Sequence, residues 1–220
     1  MITMRTVELL DSPVYPVTDA AAYVRVPTST VQQWMVAKGG LIVPAGTAPT
    51  TLSFSNLVEI FVLSALRNHH RVSMQSIRKA VAFVEHELGV TRPLIRAKFS
   101  TDGADIFVDH LGVLVNVSKS GQTAMREVMD HYLKRVEYDQ EVAVRLYPFV
   151  RSAGAEQPRT VVIDPEFGFG KPVVAGTGIW TSVITSRYMA GESTTDLAED
   201  YRLEPSKVED AIRAHLREAA

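Results

Sequence analysis

Cysteine is absent from the 220 residues, which excludes thiolate zinc sites and disulfide staples and leaves the redox compartment undecided. An excess of one charge is lacking too. The 23 Lys/Arg against 25 Asp/Glu give a formal net charge of −2 and a pI of about 6.3. No global basic field therefore draws nucleic acid in, and any such contact must rest on a local patch. Long apolar runs are missing, since the stretch from Leu57 to Leu66 is broken by Glu59 and Ser64 and is too short to span a membrane. The first residues carry no basic-led apolar segment of the signal-peptide kind. A cytoplasmic protein without a membrane partner is the expectation.

Chemistry-bearing patterns are also scarce. Gly168, Gly170, Gly176 and Gly178 lack both the Walker spacing and a strand-to-helix GxGxxG, so tight turns explain them better than a phosphate cradle. His69 and His70 are adjacent and cannot share one helix face as metal ligands. Asp102, Asp105 and Asp109 lack calcium-loop spacing, Glu199 and Asp200 read as a solvated helix face, and no serine, histidine and acid set has a local signature. The expectation is a protein with no catalytic residues, no metal and no cofactor.

What is present begins with Pro16 to Trp34, which packs two short helices and a sharp turn into the span of a helix-turn-helix DNA reader. Thr18 is placed to cap the first helix, with Asp19 against its positive end, and Ala21, Ala22 and Val24 form its apolar face. The second helix starts near Thr28. Val31, Trp34 and Met35 recur at three- and four-residue spacing and point inward, leaving Ser29, Thr30, Gln32 and Gln33 outward, where short polar groups suit base edges. Thr28, Ser29, Thr30, Gln32, Gln33, Arg25 and Lys38 are the candidate DNA-binding residues.

Leu41–Pro44 and Thr50–Phe54 read as two extended pieces around the 45–49 loop, the layout of a wing. Asn56 is placed to cap a helix that is apolar nearly all round, and Ser73 caps another with a stripe through Ile77, Val81 and Val84 before Gly89. Ile106–Val108 and Val113–Val117 are rich in β-branched residues and predict a small antiparallel sheet. Gln122 to Tyr138 returns to helical spacing, Val142, Val144 and Leu146 alternate as a strand, and 152–158 reads as a linker or exposed turn. Val161–Ile163 and Val173–Val174 flank a glycine-rich turn as a hairpin. Three helices then follow: one before Gly191, one opened by Ser193 with Asp196, and one with Pro205 in its first turn.

Val26 through Trp34 resembles the second half of the MerR-type helix-turn-helix, with Pro27 and Thr28 standing where serine and proline are usual and Gln32 and Gln33 replacing a basic pair. Arg25 occupies the turn position where that family often has glycine, which implies a left-handed backbone at a cost of roughly 1 kcal/mol. Residues 160–216 resemble a bacterial family of small domains marked in order by Asp-Pro, Gly-Lys-Pro, Gly-Thr-Arg, a helix, Gly, Ser and a three-helix end. Gly178 replaces the arginine of that pattern. The combination is similar to VapB-type antitoxins.

The resemblance implies an α+β chain: a MerR-like winged helix-turn-helix domain over 1–92, a central region over 93–151 with a small antiparallel β segment and helix, and a C-terminal hairpin plus three-helix domain over 159–220. It implies a type II antitoxin that inhibits a PIN-domain ribonuclease toxin and autoregulates its operon on operator DNA. Residues 161–220 carry six Lys/Arg against ten Asp/Glu, which disfavours DNA there. Arg213 and Arg217 on the terminal amphipathic helix are thus candidate toxin contacts. Only Arg5, Arg25 and Lys38 are basic among the first forty residues. Two or three phosphate contacts give a log-log salt slope of only about −2 to −3, so a homodimer is a condition of DNA binding, paired through the 57–66 helix or the β segment. The rival reading is a MerR-like regulator that senses a small molecule through its middle region.

Overall fold

A computed structural model describes residues 4–36, 40–66, 72–149 and 157–216 of the chain. It is α+β, helical with small antiparallel sheets. Helix α1 (Met4–Asp11) leads to strand β1 (Tyr15–Pro16), which runs directly into α2 (Val17–Tyr23), and a turn follows before α3 (Thr28–Val36). Pro16 is the N-cap of α2 with no side-chain capping bond. Thr18 does not cap the helix, because the chain enters it straight from a paired strand, and its hydroxyl instead donates to Asp19 at 3.3 Å.

Strands β2 (Gly46–Thr47) and β3 (Thr50–Leu52) complete a three-stranded antiparallel sheet of order β1-β3-β2, with Tyr15 opposite Leu52 and Thr47 opposite Thr50. The first extended piece thus lies at Gly46–Thr47 rather than at Leu41–Pro44. Helix α4 (Phe54–Ser64) is capped by Ser53, whose hydroxyl accepts from the Asn56 N–H while the Asn56 side chain accepts from the Ser53 N–H. Asn56 is therefore the reciprocal partner of the cap and not the cap itself. Every side chain of α4 is buried, and Phe54, Leu57, Ile60 and Phe61 each contribute about 1.5–3 kcal/mol by leaving water. That burial takes place within one chain, so α4 has no face left for pairing two copies.

Helix α5 (Met74–Leu88) starts at Ser73 and ends at left-handed Gly89. Where the sequence predicts strands at 106–108 and 113–117, the chain forms α6 (Ala104–Val115), entered through a π-helical turn at Phe99–Gly103 and ended by left-handed Asn116. The buried positions are Ala104, Phe107, Val108, Leu111 and Gly112, a three- and four-residue recurrence, while Val113 stays 79% exposed. Burying Phe107 and Leu111 against neighbouring helices outweighs a β preference that spans only about 1 kcal/mol per residue.

Helix α7 (Lys119–Leu133) stops short of the predicted Tyr138, because Val136 to Tyr138 join β4 (Val136–Asp139), which pairs with β5 (Val142–Leu146). The antiparallel β structure of the central region therefore lies at 136–146. One cluster of buried apolar side chains runs from Leu10 to Leu146 and takes in Ile163, so helices on both sides of residue 92 share it.

Strands β6 (Val161–Val162) and β7 (Val173–Val174) pair, and α8 (Thr181–Met189), α9 (Thr194–Tyr201) and α10 (Pro205–His215) follow. Val174, Ile184, Leu197, Val208, Ala211 and Ile212 form a second, smaller core. Two reciprocal hydrogen bonds between Leu146 and Ile163 tie this unit to the first.

Candidate nucleic-acid interface

Helix α3 is held by its inward side. Val31 and Trp34 are buried and Met35 half-buried, and the Pro27 carbonyl accepts from the N–H groups of Thr30 and Val31. Ser29, Gln32 and Gln33 are exposed at i, i+3 and i+4, which places them on one edge of the helix. Thr28 and Thr30 flank that edge half-buried. Lys38 lies outside the described residues, as do His69, His70, Arg217 and residues 152–156 of the expected linker.

Arg25 stands in the turn between α2 and α3 with φ 56°, the left-handed region its position implied. Its Nη2 donates to the main-chain carbonyl of Arg213 at 2.7 Å. Two residues singled out for different surfaces are thus in contact, and α10 packs beside α2. The Arg213 side chain itself bonds to Glu209 at 2.9 Å and to the buried Asp210 at 3.3 Å.

The glycine-rich turn of the C-terminal unit docks onto the N-terminal sheet. The buried Tyr15 hydroxyl donates to the Gly170 carbonyl at 2.9 Å. A Cβ on Gly170 would stand 2.4 Å from that hydroxyl oxygen, and φ there is +70°. Burial pushes the Tyr15 pKa up, with Tyr23 and Asp164 acting in the same direction. Gly170 is therefore glycine for a close approach of two chain segments, and Lys171 lies over the Trp180 ring at 4.6 Å.

Residues 161–213 match a family model described as "Protein of unknown function (DUF433)". Along nearly its full length the chain is 27% identical to a Mycobacterium tuberculosis (strain ATCC 25618 / H37Rv) protein named "Putative antitoxin VapB45", with 93% of this chain and 94% of that one covered. Its fold is shared with the X-ray crystal structure of Rv2018 from Mycobacterium tuberculosis at a TM-score of 0.72, with 24% identity over 92% of this chain and 99% of that chain.

Two acidic residues, Asp105 and the Asp164 of the Asp-Pro motif, have structural partners. Asp105 pairs with Arg126, and Asp164 accepts from Arg145 at 2.6 Å and from the Glu166 N–H at 2.9 Å. Among the described residues no group of three His, Cys, Asp or Glu side chains is placed to hold a metal ion, and no helix is long and apolar enough to cross a membrane.

Sequence reasoning missed two arginines. The buried Arg135 donates to the carbonyls of Tyr147, Pro148, Gln157 and Pro158, so it holds the chain on both sides of residues 150–156. Burial pushes its pKa down to about 10. Arg92 joins α1 to α4 through Asp11 and Glu59. Neither has a local motif, because each makes its contacts with partners far along the chain.

Proposed function

We propose that this chain is the antitoxin of a type II toxin–antitoxin pair, which binds and inhibits a PIN-domain ribonuclease toxin and represses its own operon by binding operator DNA as a homodimer. The observation that carries the reading is the end-to-end likeness to a protein named as a VapB antitoxin, 27% identical across 93% of this chain. The exposed edge of Ser29, Gln32 and Gln33 on α3 supports the DNA half, since paired amide donors and acceptors suit base edges in a major groove. Arg25, in the turn before that helix, and Lys38, outside the described residues, are the basic residues assigned to phosphate contact.

Two copies double the shallow salt slope of one. Because α4 is buried within its own chain, the two-fold is assigned to the exposed Val113 and Leu114 on α6 with the adjoining Phe83 on α5. Toxin contact is assigned to Arg213 on α10, together with Arg217 outside the described residues. The Arg25 to Arg213 bond joins that helix to the turn before α3, which supports a toxin that bridges two antitoxins and so tightens operator binding by multivalency.

Co-expression with the product of the adjacent reading frame tests the proposal. A stable co-purified complex and relief of growth arrest are expected. Absence of both defeats the antitoxin reading.

A further inference from the structure

A cavity of about 670 Å³ opens between α5, the start of α4 and the 40–45 segment that joins α3 to β2, a volume typical of small-molecule sites. Its apolar walls include Leu41, Val43 and Pro44 on one side and Val81 and Leu94 on the other. Three carboxylates also line it, and all three are engaged by Arg92. Glu59 accepts from Arg92 Nε at 2.8 Å and Nη2 at 3.0 Å, Asp11 from Nη1 at 2.8 Å, and Glu85 from the Arg92 main-chain N–H at 3.0 Å.

The second cation of the cavity is different. Arg78 Nε and Nη2 are shielded from solvent and have no hydrogen-bond partner among the described residues. These atoms form one edge of the guanidinium, the fork that grips a carboxylate through two parallel bonds. A shielded charged donor edge left unbonded is costly, and a turn of the side chain that brings this edge into the adjoining cavity lets an oxyanion there relieve that cost.

We propose that this cavity binds a small organic monocarboxylate, its carboxylate on the Arg78 fork and its apolar body against Val43, Val81 and Leu94. Because the fork is shielded, binding includes a turn of the Arg78 side chain toward the cavity on its flexible stem. A dianion such as phosphate is disfavoured, since Asp11, Glu59 and Glu85 outnumber Arg78 and Arg92 around the site. The occupant meets a segment tethered to α3, whose Trp34 carbonyl accepts from the N–H groups of Leu41 and Ile42 at 2.9 and 3.3 Å. The site is independent of the antitoxin reading and of any partner.

Thermal unfolding of the full chain with 4-phenylbutanoate, its neutral amide and inorganic phosphate is the test. At ten times its Kd a ligand shifts the folding equilibrium about elevenfold, so the carboxylate is expected to raise Tm saturably by a few degrees, and the amide and phosphate to leave it unchanged. Arg78→Met should abolish the rise without lowering the ligand-free Tm. Arg78→Lys, which keeps the charge but not the fork, should lose most of it and serves also if the Met variant fails to fold. An unchanged wild-type Tm up to about 20 mM carboxylate, an equal rise with the amide or phosphate, or a rise that persists in both variants would overturn the proposal.

Discussion

Arg25 reaches from the turn between α2 and α3 to the main-chain oxygen of Arg213, 2.7 Å away and 188 residues along the chain. That oxygen lies in the last turn of α10, where carbonyls lack intrahelical partners and the helix dipole presents its negative end, so a guanidinium is favoured there. The contact asks Arg25 to hold a left-handed backbone, a strain of about 1 kcal/mol that one charge-assisted hydrogen bond offsets. It joins the pair α2 and α3 to α10.

Arg25→Ala and Arg25→Gly separate those two terms. Both lose the bond to Arg213, but only glycine also relieves the strain. The Gly variant should therefore be the more stable of the two by about 1 kcal/mol in urea denaturation. The reverse order would show that the turn does not hold Arg25 in the left-handed region.

Gly170→Ala places a Cβ 2.4 Å from the Tyr15 oxygen at a φ of +70° and should destabilise the chain by about 2 kcal/mol. Removing that oxygen with Tyr15→Phe should make the alanine easier to accept. A double-mutant cycle is expected to give a coupling of about 1 kcal/mol; strict additivity would mean that the approach of Tyr15 is not what requires glycine.

Glu59 is 5% exposed and holds two nitrogens of Arg92 together with the Asn56 amide. Glu59→Gln leaves the Arg92 guanidinium short of its main counter-charge and should cost about 3 kcal/mol. Chemical denaturation of the purified variant measures it, and a loss below about 0.5 kcal/mol, the scale of an ordinary surface substitution, would contradict the assignment.

Acid should loosen the junction of α8 and α9. Arg187 hydrogen bonds hold the Glu192 carboxyl below its ordinary value of 4.5, and the same guanidinium bonds to Asp200 and stacks on Tyr201. The folded-state pKa is depressed, so the stabilisation is fully present above pH 4.5 and is lost as pH falls through the depressed value. Glu192→Gln should flatten this part of the fall in Tm between neutral and acid pH, and an unchanged acid limb would assign the fall to other groups.

On the proposed reading, Gln32→Ala with Gln33→Ala should weaken operator binding about tenfold or more. Affinity for scrambled DNA and the salt slope should stay as they were, because amides neutralise no phosphate. Fluorescence anisotropy at several salt concentrations resolves the two, and equal loss on both DNAs would exclude base reading by this pair.

Local signals in the chain were legible wherever the partners of an element lie within a few residues of it. The start of α3 at Thr28, the buried Val31 and Trp34, the Ser73 and Ser193 caps, the Gly89 stop and Pro205 in the first turn of α10 all follow from three- and four-residue spacing and capping chemistry. The left-handed Arg25 followed instead from the resemblance of its turn to a family pattern that has glycine there.

Tertiary packing decided the remainder. Ile106 to Val117 carries a β-favouring composition, yet Phe107 and Leu111 turn it into α6 because neighbouring helices offer them burial. The same holds for Gly170 against Tyr15, for Arg25 at the end of α10, and for the cavity in which Arg92 takes three carboxylates while the Arg78 fork has none. Hydrogen-bonded turns and caps are set by neighbours along the chain, whereas a contact between residues 155 or 188 apart exists only once the whole chain has closed, and no local pattern specifies it.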